Sequence, residues 1–170
     1  YWAYQEHGQR VAVLNAAENQ YQRAYHNLTY QFDLLNDKIG TTLAMNTGKT
    51  LSPALSDVWR ITSEAQNEIG LLPLSVVPIN KTEEFLSDIG KFSYQTAVRD
   101  LEKEPLSDEE YKQLEDLYEQ SGDIQNELRA IQYKVMKNNL RWSDVEAASA
   151  NDEEPKDNTI IDGFSTVEKK

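Results

Sequence analysis

The chain has no cysteine and no uninterrupted apolar run long enough to cross a membrane, which takes about 20 residues. The first absence excludes a disulfide-stapled scaffold and a thiolate metal site, because both need cysteine sulfur. The second excludes a membrane-spanning helix within these residues. Neither absence distinguishes an intracellular protein from an extracytoplasmic protein without disulfides.

Groups that commonly carry chemistry are also scarce. The seven glycines are isolated, so none forms a phosphate-binding loop, and no serine lies in a Gly-x-Ser-x-Gly elbow. The two histidines, His7 and His26, have neither a glutamate three residues earlier nor a second histidine four residues away. We therefore predict no catalytic residue, no metal ligand and no cofactor site.

Acidic residues are plentiful but unevenly placed. The net charge of −12 argues against nonspecific nucleic-acid binding. Residues 1–60 carry five acidic and five basic side chains, whereas residues 100–127 carry eleven acidic and two basic ones, a net charge of −9. Most of the charge therefore belongs to one local region.

The first proline-free segment predicts a long helix from Trp2 to about Met45. Apolar residues in it alternate at steps of three and four, which places one stripe along roughly 45 Å of helix. Only Glu18 interrupts this first seam, which contains Val11, Leu14, Tyr21, Tyr25, Leu28, Phe32, Leu35 and Ile39, and which extends backwards to Tyr4 and His7. A stripe of this length predicts a long helical partner.

Two shorter helices are predicted next. Ser52 suits the N-cap of helix two, Pro53 its first position and Gly70 its end. Its inner face is predicted to contain Leu55, Val58, Trp59, Thr62, Ala65 and Ile69. An apolar linker with two prolines, residues 71–78, is interpreted as an extended crossover. Helix three is predicted from Asn80 or Thr82 to Pro105, with an inner side of Phe85, Leu86, Ile89, Phe92, Ala97, Val98 and Leu101.

The fourth helix has the clearest start signal. Ser107 and Glu110 form a capping box, and Leu106 with Tyr111 forms the accompanying hydrophobic staple. Helix four is predicted to end near residue 150. Its seam contains Leu114, Leu117, Ser121, Ile124, Leu128, Ile131, Val135, Asn138 and Trp142. The polar seam residues Ser121 and Asn138 are predicted to fix the register of packing.

These elements predict an all-α fold: an elongated helical bundle of two long and two shorter antiparallel helices over residues 1–150. Helices two and three stacked end to end, or dimerisation through the first seam, are alternatives. Residues 151–170 are interpreted as a disordered acidic linker followed by the start of a further C-terminal region. The aromatic opening Tyr1-Trp2-Ala3-Tyr4 is typical either of a membrane–water interface or of a helix end.

One acidic cluster is a candidate partner-binding site. Eleven acids around the hairpin of helices three and four repel each other at a cost in stability, which makes this region a candidate for binding a partner. The predicted contact residues are Glu109, Asp116, Glu119 and Asp123. They are interpreted either as a solvated, solubilising face or as a docking patch for a basic partner or a divalent cation.

Six segments carry a resemblance to a known family: Tyr1–His7, Asp33–Gly40, Leu51–Arg60, Lys81–Leu86, Tyr94–Leu101 and Lys137–Trp142. They resemble the N-terminal region of the YpeB family of spore germination proteins. The resemblance covers essentially the whole chain, and Ile160–Phe164 resembles the entry to that family's C-terminal PepSY-type repeats. It implies an N-terminal membrane helix before these residues and a location on the outer face of the spore inner membrane.

The same resemblance implies a function without catalysis. Proteins of this family and the cortex-lytic enzyme SleB stabilise each other and are both needed for cortex peptidoglycan breakdown during germination. The resemblance thus favours a scaffold with SleB as partner. A sensor-type ectodomain that relays a ligand signal is the alternative, with Ser121 and Asn138 as its only hint in the sequence; an enzyme acting on peptidoglycan is a third hypothesis.

Overall fold

The computed structural model describes residues 2–72, 80–139, 141 and 142 of the chain. These residues form four α-helices and no strand: α1 (Trp2–Leu43), α2 (Gly48–Gly70), α3 (Asn80–Ala97) and α4 (Asp108–Asn138). The two long helices are α1, with 42 residues, and α4, with 31. The predicted all-α fold of two long and two shorter helices is confirmed. None of the described helices is both long and apolar enough to cross a membrane.

Helices that pack side by side in the bundle run antiparallel to each other. Helix α1 packs against both α2 and α4, α2 packs side by side with α3, and α3 and α4 have the smallest contact. Between α1 and α2, Asn27 bonds to Glu68 and Lys38 pairs with Asp57, so residue numbers rise along one helix as they fall along the other. Between α1 and α4, Tyr25 bonds to Leu128 and Asn36 to Ser121, which gives the same result. The end-to-end alternative for helices two and three is therefore wrong.

The core lies between these helices and is formed by the predicted seams. Its fully buried side chains include Leu28, Phe32, Leu35, Ile39, Leu55, Val58, Leu86, Ile89, Leu114 and Ile124. The rings of Phe32 and Phe85 lie 5.7 Å apart, in the tilted geometry that aromatic pairs favour. The heptad pattern thus identified the centre of the bundle correctly.

The first seam is only half buried. Tyr25, Leu28, Phe32, Leu35 and Ile39 lie in the core, whereas Tyr4, His7, Val11 and Leu14 are exposed. The prediction of one continuous covered stripe is therefore wrong for the first four turns, because α2 and α4 do not reach that far along α1. Glu18, predicted as a mere interruption, is instead a buried residue with 3% exposure.

Helix α2 begins five residues earlier than Pro53, at Gly48, with Thr47 as its N-cap. The Ser52 hydroxyl does not cap α2, because it donates to the Ala97 carbonyl of α3 at 2.9 Å. Pro53 lies inside α2, in its second turn, where a proline removes one helical hydrogen bond. A Cβ built on Gly48 would lie 2.6 Å from the Leu101 carbonyl carbon, so this glycine permits backbone contact at the α2 start.

Helix α3 ends at Ala97, well before Pro105. The chain turns through residues 98–107, where Leu101 and Leu106 are buried and Val98 is exposed. The Val98 prediction is wrong because the residue lies beyond the helix and outside its apolar face.

The α4 start agrees with the capping box, since the Ser107 hydroxyl accepts from the Glu110 amide and the Glu110 carboxylate accepts from the Ser107 amide. The predicted end of α4 near residue 150 is wrong, because the helix stops at Asn138. Asn139 adopts the left-handed conformation with φ of 50°, which asparagine tolerates better than most residues, and its amide donates to the Val135 carbonyl. Asn138 is exposed, so it is not a seam residue.

Trp142 is buried as predicted, but it lies past the helix end. The linker 73–78, residues 143–150 and the proposed linker 151–170 lie outside the described residues.

Candidate functional site

The four predicted acidic residues share one side of α4. Glu109, Asp116 and Asp123 recur every seven residues, and Glu119 lies one turn after Asp116. All four side chains are exposed, and the α4 residues buried in the core, such as Leu117 and Ile124, face the other way. We call these four carboxylates the acidic stripe.

The acidic stripe differs from its acidic neighbours in ion pairing. Asp100 pairs with Lys103 at 3.1 Å, Glu127 with Lys81 at 3.1 Å and Glu110 with Arg99 at 2.8 Å. Within the part of the chain that the structure describes, no member of the acidic stripe makes an ion pair or a side-chain hydrogen bond. The acidic stripe is therefore a solvated row of carboxylates that make no ion pair within the described residues.

A divalent cation does not suit this row. No group of three or more potential metal ligands occurs among residues 2–72, 80–139, 141 and 142. Glu119 lies about one turn from Asp116 and from Asp123, but Glu109 is about 10 Å from Asp116 along the helix axis, so the row as a whole cannot share one cation. The arrangement suits a basic surface that runs along the helix.

The stripe is anchored at its N-terminal end by the Arg99–Glu110 pair. The Arg99 guanidinium donates to both Glu110 carboxylate oxygens, at 2.8 and 3.2 Å. This hydrogen bond is the main reason why the pKa of Glu110 is lowered, and the opposing effect of burial is smaller; the same bond raises the pKa of Arg99. The pair fixes the α3–α4 turn and therefore the direction of the stripe.

A second surface feature, which the sequence analysis missed, is an apolar groove between α2 and α3. It has a volume of about 420 Å³, and its aromatic wall consists of Trp59 and Tyr94, whose ring centroids are 5.9 Å apart. Trp59 is 44% exposed, so its predicted place on the inner face is wrong. It follows Val58, which takes the buried position, and one step along a helix turns the next side chain by about 100°.

The polar seam residue Ser121 does not open a pocket. Its hydroxyl donates to the Tyr118 carbonyl at 2.7 Å and accepts from the Asn36 amide at 2.8 Å. About one turn along α1, Asp33 accepts from Gln125 and Arg129 of α4, at 2.6 and 2.8 Å. These bonds fix the register of α1 against α4, as predicted for Ser121, and give a ligand no free group.

A buried clasp joins Trp142 to α1. The Trp142 amide donates to the Glu18 carboxylate at 2.8 Å, and the Trp142 ring lies 5.0 Å from the Tyr25 ring. The Tyr25 hydroxyl donates to the Leu128 carbonyl at 2.6 Å. Burial raises the pKa of Tyr25 well above its ordinary value, so the phenol remains a neutral donor. Glu18, predicted as an interruption of the first seam, and Trp142, predicted as a seam residue of helix four, are thus parts of one packing unit.

The two histidines are far apart. His7 is exposed on the first turns of α1, and His26 is exposed beside Gln132, whose amide nitrogen lies 3.5 Å from the imidazole Nδ1. The structure therefore does not bring them together.

Comparison with known proteins finds relatives along nearly the whole chain. Three curated relatives, each named sporulation protein YpeB, align over 99% of this chain. They come from Bacillus subtilis at 64% identity, Oceanobacillus iheyensis at 52% and Halalkalibacterium halodurans at 48%. The chain spans 38% of the length of each. No solved structure matches it. The family profile described as YpeB N-terminal matches residues 9–144, and the chain therefore belongs to the YpeB N-terminal family.

Proposed function

We propose that this chain is the helical N-terminal region of a sporulation protein that acts without catalysis in spore germination. In this proposal it works with the cortex-lytic enzyme SleB, each protein stabilising the other, on the outer face of the spore inner membrane. Membership of the YpeB N-terminal family carries the proposal, since the curated relatives are named as sporulation proteins. The chain spans 38% of those relatives, so the proposal concerns what this region contributes.

The geometry supports a scaffold more than a catalyst. The described helices pack through apolar seams, and the polar groups between α1 and α4 bond to each other. A glycan-cleaving site needs a desolvated carboxylic acid beside a cleft. The buried carboxylate, Glu18, instead accepts the Trp142 amide and is engaged in packing. We therefore expect no muropeptide release when the purified chain is incubated with cortex peptidoglycan; release would contradict the non-catalytic role.

The acidic stripe is the proposed contact for the partner. Its four carboxylates, Glu109, Asp116, Glu119 and Asp123, are exposed and make no ion pair in the described residues. Electrostatic complementarity steers association and selects partners of opposite charge. A basic face on SleB could form ion pairs with these four carboxylates along about 20 Å of helix.

Binding of purified SleB to the chain tests this proposal. The stripe variant combines Glu109→Gln, Asp116→Asn, Glu119→Gln and Asp123→Asn. We expect about 10-fold weaker binding, which corresponds to ~1.4 kcal/mol, and a smaller dependence on salt than the unaltered chain shows.

A matched control separates the stripe from overall charge. It changes four exposed acids elsewhere, by Asp37→Asn, Glu83→Gln, Glu84→Gln and Asp88→Asn, and therefore alters net charge equally. We expect this variant to bind SleB within about 2-fold of the unaltered chain. If both variants bind as the unaltered chain does, the stripe is not the contact. If even the unaltered chain does not bind, this region is not the partner site.

A further inference from the structure

The Trp59–Tyr94 groove between α2 and α3 exposes two large aromatic side chains that do not belong to the core. Trp59 is 44% exposed, Tyr94 is 54% exposed, and neither ring is part of the buried core cluster. The ring planes are tilted by 47°, so the two rings form a V-shaped wall and do not stack face to face. Neighbouring exposed aromatic rings in a concave surface typically mark a binding site.

Both rings also carry a hydrogen-bond donor that the described part of the chain does not use. Neither the Trp59 indole N–H nor the Tyr94 hydroxyl bonds to another group among these residues. The indole nitrogen can only donate, whereas the phenol oxygen can donate and accept. The groove therefore offers free donors to a ligand that carries oxygen acceptors.

The charged groups that line the groove are already neutralised. Asp57 pairs with Lys38 at 3.0 Å, and Arg60 pairs with Glu64 at 2.7 Å. An ionic ligand would have to compete with these pairs. The Asp57 carboxylate and the Arg60 guanidinium still have hydrogen-bonding positions to spare, because each has more of them than one ion pair uses. Charge complementarity therefore favours a neutral ligand that is rich in hydrogen-bonding groups.

A sugar ring has the chemistry that this lining requires. When the hydroxyls of a pyranose are equatorial, its axial C–H bonds form a flat apolar face that can lie against an aromatic ring. The hydroxyls at its edge donate and accept hydrogen bonds, so they suit the indole N–H, the phenol and the two charged residues. An aliphatic side chain from a protein would cover the rings but leave these polar groups without partners, which costs free energy.

The shape of the groove favours a β-linked chain of such sugars. The groove runs between two antiparallel helices and is therefore straight. Chains of equatorial pyranoses joined by β-1,4 bonds are straight, flat ribbons, whereas α-1,4 chains curve. The groove volume of about 420 Å³ lies in the range of small-molecule sites and suits one or two sugar units.

We propose that the Trp59–Tyr94 groove binds a neutral β-linked glycan, with a sugar ring against the two aromatic rings and its hydroxyls bonded to Asp57 and Arg60. A sugar unit of about 15 non-hydrogen atoms, at the binding efficiency of drug-sized ligands, has a dissociation constant on the order of 1 mM. The inference goes beyond the proposed function and does not depend on it, because the groove lies on α2 and α3 and the acidic stripe on α4.

Nuclear magnetic resonance of the ¹⁵N-labelled 170-residue chain tests the site, because its three tryptophans give three separate indole N–H signals. The probe is chitotetraose, a β-1,4-linked tetramer of N-acetylglucosamine, added up to about 10 mM. We expect the Trp59 signal to shift and saturate. The signals of Trp2, which is exposed, and Trp142, which is buried, should stay in place.

Variants of the groove test its residues, with the Ala97 and Val98 amides as reporters of binding. Trp59→Ala and Tyr94→Ala should each weaken binding about 10-fold, whereas Trp59→Phe keeps a ring and should bind within about 3-fold of the unaltered chain. Trp2→Ala removes an exposed tryptophan elsewhere and is the matched control, which should bind equally well. Trp59 lies outside the core, so we expect unchanged circular dichroism for its variants.

Three results would overturn the proposal. The first is a Trp59 signal that does not move at the highest chitotetraose concentration. The second is an equal shift of Trp2, which would mean nonspecific stacking on exposed rings. The third is equal binding of maltotetraose, an α-1,4-linked tetramer of glucose, which would remove the preference for a β-linked chain. A Trp59 signal that responds to SleB but not to chitotetraose would make the groove a protein contact instead.

Discussion

The two ends of α1 have similar sequence patterns but opposite environments. From Tyr25 to Ile39 the seam is buried by α2, α3 and α4, whereas from Tyr4 to Leu14 the same three-four spacing is exposed. The comparison shows that a heptad pattern identifies a face that can be buried but does not identify what buries it. Burial along α1 is decided by where its partner helices end, and α4 ends at Asn138.

The largest expected effect contrasts the two halves of the seam directly. Phe32→Ala removes a fully buried ring that contacts Phe85, and we expect the free energy of unfolding to fall by about 3–5 kcal/mol. Val11→Ala, in the exposed first turns of α1, should change it by less than about 0.5 kcal/mol. Urea unfolding at low protein concentration measures both. Similar losses for the two variants would show that the start of α1 is buried as well.

The second-largest effect concerns Gly48, the residue at which α2 begins. Gly48→Ala places a methyl group against the Leu101–Glu102 backbone, which cannot move as a side chain can, so we expect a loss of about 1–3 kcal/mol. Gly70→Ala, at the other end of the same helix, meets nothing within 4 Å and should change stability by less than about 1 kcal/mol. Thermal unfolding of the two variants provides the comparison, and a neutral Gly48→Ala would mean that the α2 start is not closely packed.

A smaller effect concerns Tyr25, which packs against Trp142 where the buried half of α1 begins. Tyr25→Phe keeps the ring against Trp142 but removes the hydroxyl that donates to the Leu128 carbonyl. We expect a loss of about 1 kcal/mol in unfolding free energy. Tyr30→Phe on the exposed side of α1 is the matched change and should be neutral. Equal effects would indicate that the Tyr25 hydrogen bond contributes nothing specific.

The smallest effect depends on pH and concerns Glu110 at the α3–α4 turn. Because the Arg99 bond lowers the folded-state pKa of Glu110, its stabilisation is fully present above the unfolded-state pKa and is lost as pH falls through the lower folded-state value. The stability difference between the unaltered chain and Glu110→Gln should therefore be constant at neutral pH and shrink below about pH 4. Glu119→Gln, an exposed change on the same helix, is the control. A difference that grows as pH falls would contradict this assignment.

Much of the fold follows from the sequence because the strongest local signals coincide with the packing. The capping box at Ser107 and the seam from Leu114 to Ile131 were placed correctly, since capping and periodicity are local properties. The starts and ends that failed depend on tertiary contacts. The start of helix two, for example, was predicted at Pro53, but α2 begins at Gly48, where the absent side chain permits the Leu101 backbone to approach.

The candidate site was predictable in part. Exposure of Glu109, Asp116, Glu119 and Asp123 follows from their position opposite the apolar seam, and the structure places them on one stripe. Their role in binding stays a prediction. The Trp59–Tyr94 groove and the Glu18–Trp142 contact could not be derived, because each joins residues from separate segments whose meeting depends on the packing of whole helices.

Hydrogen exchange in dilute solution tests the contrast between the two halves of α1 most directly. The account predicts that amides from Tyr25 to Leu43 exchange only through global unfolding, while those of residues 2–14 exchange many times faster, because a helix without tertiary packing is marginal in water. Uniformly slow exchange along the whole of α1 in the monomer would contradict the contrast between its two halves.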